Sequence, residues 1–344
     1  MLKKTWFRLT IVLVLTAVFL FFFIRSVNDW GAVLRSMTRI SWPIFLLTLL
    51  LTPLHLATRA FRWRYLLIHE KKDVRFSNLF AANALGFMFN FILPGRLGEI
   101  VKPLYCARRE CVRPGFVLGT VVVERIFDIL TMCFLLGAFL LARPLYAAKF
   151  VIKPETSSRL TQLGIAGLAL GSGLLGLILF FYFFRERAVR LTMVLLRPLP
   201  KAWGEKAGRL LHEFIDGLKF FHSPGNLVIY IGLSFVVWMG ITFFYWVFFL
   251  SYRVSIPFFF LIPYIFLTMV GASIPTPGMI GGFHASSQFG LTQLFGLDAN
   301  LAFALTVVVH AIQMIMTCLI GYAIVWKQDL SLVQLRKLKE TVEP

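Results

Sequence analysis

Acidic residues are scarce in this sequence: 16 Asp and Glu stand against 35 Lys and Arg in 344 residues, and charged residues make up only 15% of the chain. So little charge beside 58% hydrophobic residues and a mean hydropathy of +0.79 excludes an ordinary soluble globular domain and reads as a polytopic membrane protein. Cysteine is sparse too. Cys106, Cys111, Cys133 and Cys318 have neither metal-ligand nor redox spacing, and no HExxH or similar pattern occurs, so no metal, cofactor or catalytic residue is assigned. The net charge of +19 would suit nucleic acid, but the Lys and Arg residues lie between apolar runs instead of forming a basic binding fold. Anionic membrane lipids and cytoplasmic loops account for them.

What the chain has in quantity is long apolar runs. Those able to cross roughly 30 Å of hydrocarbon lie at Trp6 to Ile24, Trp42 to Ala60, Phe116 to Leu141, Leu163 to Phe184, Leu227 to Leu250 and Leu301 to Trp326. The first follows Lys3-Lys4 in the manner of a signal peptide but lacks a small-x-small cleavage site, so it is expected to remain as a helix. Two further runs are interrupted. Phe76 to Leu93 meets Pro94-Gly95 and resumes over Leu97 to Cys106, and Pro257 to Ala272 meets Pro275-Thr276-Pro277-Gly278 and resumes over His284 to Phe295. Irregular backbone survives at membrane depth only where it is buried in protein or lines a wet cavity. Re-entrant hairpins fit, and kinked full spans are the alternative.

Lys and Arg placement sets the orientation. The stretch with Arg59, Arg62, Arg64, Lys71, Lys72 and Arg75, the connection Arg185 to Lys219, and both termini read as cytoplasmic, although Arg143 to Arg159, assigned outside, is also basic. The expected fold is an all-α polytopic membrane protein of about six full spans plus two re-entrant hairpins, a single transmembrane domain over 1–330 with a cytoplasmic tail over 331–344. The unit of span, hairpin and span then occurs twice, over about 42–141 and 227–326, with the hairpins opening to opposite sides. That is an inverted repeat, the architecture of alternating-access carriers.

Several polar residues fall inside this apolar sequence. Glu124, Arg125 and Asp128 sit some 12 to 18 Å into their helix, where a charge needs a partner or water. Glu124 and Asp128 share a face and call for cations; Arg96 and Lys102, flanking Glu99 just after the first break, are the expected ones. Arg96 or Lys102 could instead hold a lipid phosphate, aided by the positive end of the helix after Pro94-Gly95. The cluster thus reads either as an ion-pair clamp or as a headgroup site. His284 and His310, beside Gln288, Gln293 and Gln313, read as structural histidines or as a proton-linked gate. Arg59, Arg62 and Arg64 read as anchors snorkelling to the headgroups.

These residues carry a family resemblance. Asn90 to Lys102, with its Asn-x-x-Leu-Pro-Gly-Arg-x-Gly-Glu core, Thr120 to Asp128 and Pro275 to Gly281 resemble the lysylphosphatidylglycerol synthase transmembrane region, or flippase-like, family over about Leu9 to Trp326. The resemblance implies a multi-pass protein of a bacterial or archaeal inner membrane that moves a lipid or lipid-linked glycan between leaflets. Asn90, Arg96, Glu99, Lys102, Glu124, Arg125, Asp128, His284 and His310 are the expected binding or gating residues. Relatives with an added aminoacyl-transferase domain synthesise the lipid before moving it. About eighteen residues follow the last run here, so a separate glycosyltransferase or aminoacyl-transferase partner is expected and enzymatic activity is not; a membrane-embedded transferase, or a scaffold for one, is the alternative. His284 and His310 replace an expected Glu and Arg, which implies that the two positions meet in space.

Overall fold

The computed structural model describes residues 40–146, 154–184, 224–274 and 276–327, with single positions among 31–38 and 187–216. The expected first span, most of the 185–219 connection, Pro275 and the C-terminal tail lie outside the described residues. All regular structure among the described residues is helical: α1 (Trp42–Leu67), α2 (Phe76–Ile92), α3 (Gly98–Glu110), α4 (Pro114–Leu141), the single turn α5 (Arg143–Tyr146), α6 (Pro154–Phe183), α7 (Pro224–Ser251), α8 (Leu261–Ser273), α9 (Ile280–Phe295) and α10 (Ala299–Lys327). Proline opens α4, α6 and α7, where its missing N–H has no intrahelical partner to lose.

Among the described residues four helices are long and apolar enough to cross a membrane, over Trp42–Leu67, Ser158–Leu177, Gly225–Ser251 and Ala299–Lys327. At 28 residues α4 has the length as well, but every 18-residue stretch of it holds Glu124, Arg125 and Asp128 together. The expected span ending at Ala60 runs on to Leu67, because Arg59 and Arg62 face protein and do not mark its end.

At Pro94–Arg96 and Pro277–Met279 the chain reverses through the same turn. Gly95 (φ 78°) is followed by Arg96 (φ 55°), and Gly278 (φ 61°) by Met279 (φ 57°). Glycine takes the first left-handed position without penalty, whereas Arg96 and Met279 hold theirs at a cost of about 1–3 kcal/mol each. Each reversal is closed by a glycine pair. A Cβ on Gly98 would stand 1.7 Å from the Gly86 carbonyl oxygen, and one on Gly282 would stand 2.1 Å from that of Gly271. Helices α2 and α3, and likewise α8 and α9, therefore touch backbone to backbone, the contact small residues permit where lipid supplies no hydrophobic drive.

Polar contacts tie the helix ends into two layers. In one, Arg113 bonds Glu70 and Asp216, both at 2.8 Å, Asn78 donates to Glu110 at 2.6 Å, and the Gly115 N–H at the start of α4 donates to Glu213 at 2.8 Å. In the other, the Ser41 N–H donates to the Ser251 carbonyl at 2.7 Å and Tyr146 meets Phe260 edge-on at 5.1 Å between centroids. The α2–α3 hairpin opens at the first layer and α8–α9 at the second. Their turns meet in between, where an Arg96 Nη1–H donates to the Ser273 carbonyl at 3.4 Å. Apolar packing flanks the meeting point on both sides, around Trp63, Leu85 and Phe116 on one and around Phe248, Tyr264 and Phe266 on the other.

Candidate functional site

One helical turn separates Glu124 from Asp128 on α4, so both carboxylates project from one face, and α1 sets Arg59 and Arg62 against them. Arg62 lies 2.7 Å from Asp128 and 3.4 Å from Glu124; Arg59 lies 3.4 Å from Asp128 and 3.5 Å from Glu124. From α3, Lys102 Nζ reaches Glu124 at 2.6 Å, and Arg125 Nη2 bonds the other oxygen of Glu124 at 2.9 Å. Trp238 Nε1–H adds a 3.2 Å bond to Asp128, and Lys102 stacks over Trp63 at 4.3 Å from the ring centre. Arg62 and Glu124 are wholly buried. Two carboxylates at such depth persist only with close cations and satisfied oxygens.

Lys102 pairs with Glu124 as its spacing predicts, but two expectations change. Arg59 and Arg62 are not snorkelling anchors; they are buried ion-pair partners of Asp128 and Glu124. The signal was in the sequence, since two acids on one buried face need more than one cation, and Arg59 and Arg62 are spaced by three residues to deliver it. Arg96 does not join Glu124 or Asp128 among the described contacts. It sits in the turn, 3.9 Å from Glu99, which lies 3.6 Å from Arg125.

Asn90 is buried where α2 passes α3, its Oδ1 without a hydrogen-bond partner. His284 and His310 meet, ring centroids 4.8 Å apart, with Phe283 and Phe91 against His310. His284 Nδ1 bonds the Ile280 carbonyl.

Between the two turns lies a cavity of about 430 Å³. Arg59, Arg96, Arg125 and Asp128 line it together with His55 and His310, and Phe87, Phe91, Phe244 and Phe283 form much of its apolar wall. Lys102, Glu124, Glu99, Asn90 and His284 do not line it. Counting the charged side chains gathered here, five cations (Arg59, Arg62, Arg96, Lys102, Arg125) face three carboxylates (Glu99, Glu124, Asp128), an excess of two positive charges among the described residues. Among the described residues no group of three His, Cys, Asp or Glu side chains is placed to hold a metal ion.

Residues 6–321 match the family described as lysylphosphatidylglycerol synthase TM region. The chain belongs to this family. No curated protein and no solved structure matches it. Membership of the lysylphosphatidylglycerol synthase TM region family, with its membrane-crossing helices, makes this a multi-pass membrane protein tied to lipid-related processes.

Proposed function

We propose that the protein is a flippase that carries a lipid with a polar or phosphate-linked headgroup from one leaflet to the other. The observation that carries this reading is the excess of cations, three of them buried, beside a cavity at the meeting of two broken segments. A headgroup must shed water to cross hydrocarbon, and fixed cations next to irregular backbone replace part of that hydration. The hairpins α2–α3 and α8–α9 are taken as re-entrant, and the stretches 42–141 and 227–326 as an inverted repeat; the shared turn geometry, the paired glycine closures and the opposite open ends support both. The end holding Glu70 and Arg113 is assigned to the cytoplasm, with both termini, because the basic residues concentrate there. No covalent step is assigned to the site. A separate enzyme would supply the lipid.

The test is transfer between leaflets in proteoliposomes of the purified chain, read by chemical modification of labelled lipid from outside. The expected outcome is transfer well above that in protein-free liposomes, with Arg96→Ala slower by tenfold or more. Headgroup transfer to another lipid without leaflet exchange would favour a membrane-embedded transferase instead.

A further inference from the structure

The cavity separates one class of headgroup from another, a point that rests on the transport reading above. Among the described residues its only lining carboxylate is Asp128, and that group is already occupied: Arg62 at 2.7 Å, Trp238 at 3.2 Å, Arg59 at 3.4 Å and Arg125 at 3.5 Å surround its oxygens. An ammonium entering the cavity would find no carboxylate to pair with and three arginines to repel it. Protonation of His55 or His310 would only add positive charge.

The hydrogen-bonding atoms left unpaired in the cavity walls suit the opposite chemistry. Arg96 Nε is buried without an acceptor, which leaves a guanidinium N–H for a phosphate oxygen, whereas Arg125 Nε faces Glu99 at 3.6 Å. His55 Nε2 accepts a bond from Arg59 at 3.0 Å, so its Nδ1 carries the proton, and that atom is buried without a partner, as is His310 Nε2. Across the cavity Gln313 donates to the Tyr245 hydroxyl at 3.3 Å. Imidazole, amide and phenol beside aromatic walls match hydroxyl groups that are neutral.

We infer that the headgroup is an anionic phosphate ester bearing neutral hydroxyls, and that the cavity discriminates against an aminoacylated, ammonium-bearing headgroup. A glycerol-headed phospholipid and a polyprenyl-phosphate-linked sugar both present this chemistry. Lysylated phosphatidylglycerol, the lipid in the family's description, presents an added cationic group that the cavity has nothing to neutralise.

The full chain, reconstituted in phosphatidylcholine liposomes, is given one labelled lipid at a time: phosphatidylglycerol, its lysyl ester, or a polyprenyl-phosphate-linked monosaccharide. The expected result is transfer of at least one of the two hydroxylated anions, with the lysyl ester at least tenfold slower; whichever anion moves identifies the source. A lysyl ester that crosses as fast as the faster anion overturns the inference and leaves transport standing. If none of the three exceeds protein-free liposomes, the transport reading falls and the inference with it. Ser273→Glu adds a carboxylate to the cavity wall beside Arg96 and should shift the rate ratio at least fivefold toward the lysyl ester; an unchanged ratio counts against the inference. Should that variant fail to fold, Arg96→Gln tests the same balance, with the phosphatidylglycerol rate falling more than that of the lysyl ester.

Discussion

Arg62 has no exposed surface and holds Asp128 at 2.7 Å, so its removal strands a carboxylate in an apolar interior. Arg62→Ala is expected to destabilise the folded protein by about 3–5 kcal/mol, the usual cost of breaking a buried pair from one side. Arg62→Met with Asp128→Leu should cost clearly less than the sum of the two single changes, read as thermal unfolding in detergent; additive losses would show that the two side chains are not coupled. Arg96 differs. Its nearest carboxylate stands 3.9 Å away and its side chain is partly exposed, so Arg96→Ala should slow transport while shifting stability by less than about 1 kcal/mol. Sequence patterning placed Lys102 against Glu124 because both lie in apolar surroundings with opposite charge. It left Arg59 and Arg62 at the membrane edge, because α1 looks finished at Ala60 unless the burial supplied by α4 and α7 is known.

Among the helices, the breaks at Pro94-Gly95 and Pro277-Gly278 were legible from residue type alone, since those pairs cannot continue a helix. The closing glycines were not. Gly86, Gly98, Gly271 and Gly282 are ordinary helical glycines until the neighbouring helix is in place, when a Cβ at 98 or 282 would collide with a carbonyl oxygen. Gly98→Ala and Gly282→Ala are therefore expected to abolish the monodisperse peak in detergent size-exclusion chromatography. Gly137→Ala and Gly173→Ala, with nothing within 4 Å of the added Cβ, should keep or slightly raise stability, by up to about 1 kcal/mol. Equal behaviour of all four variants would refute the view that backbone contact closes the hairpins. At the polar layer, the hydrogen bond to Glu110 raises the pKa of Lys71, so Lys71 keeps its charge through neutral pH and loses it in alkaline solution above the ordinary lysine range, where the tie weakens.

At the scale of the whole molecule, the basic residues assign the sides and the two layers of contacts agree with the assignment. With the native cysteines replaced, a cysteine at position 298, beside the open end of α8–α9, should react with a membrane-impermeant reagent applied to intact cells. One at position 203 should react only after the cells are opened. Labelling of position 203 from outside would overturn the proposed sidedness and with it the inverted repeat. Composition alone carried the membrane class. The convergence of the two turns on one cavity was not legible, because it depends on how α1, α4, α7 and α10 pack around the hairpins and not on any one segment.

The contact between the turns also has an electrical consequence. Where Arg96 touches the Ser273 carbonyl, the tips of both hairpins meet at the cavity wall; if water fills the cavity from one side of the membrane, this thin septum of chain replaces the full thickness of hydrocarbon as the insulator. A membrane voltage would then drop over a short distance at the turns, at about 2.3 kcal/mol per elementary charge for each 100 mV. A headgroup with net negative charge would cross most of that drop as it passed the septum, and an inside-negative voltage would favour its movement outward. A potassium-diffusion potential imposed on the proteoliposomes should change the transfer rate with its sign, and a rate indifferent to voltage would mean that the headgroup crosses with its charge already compensated.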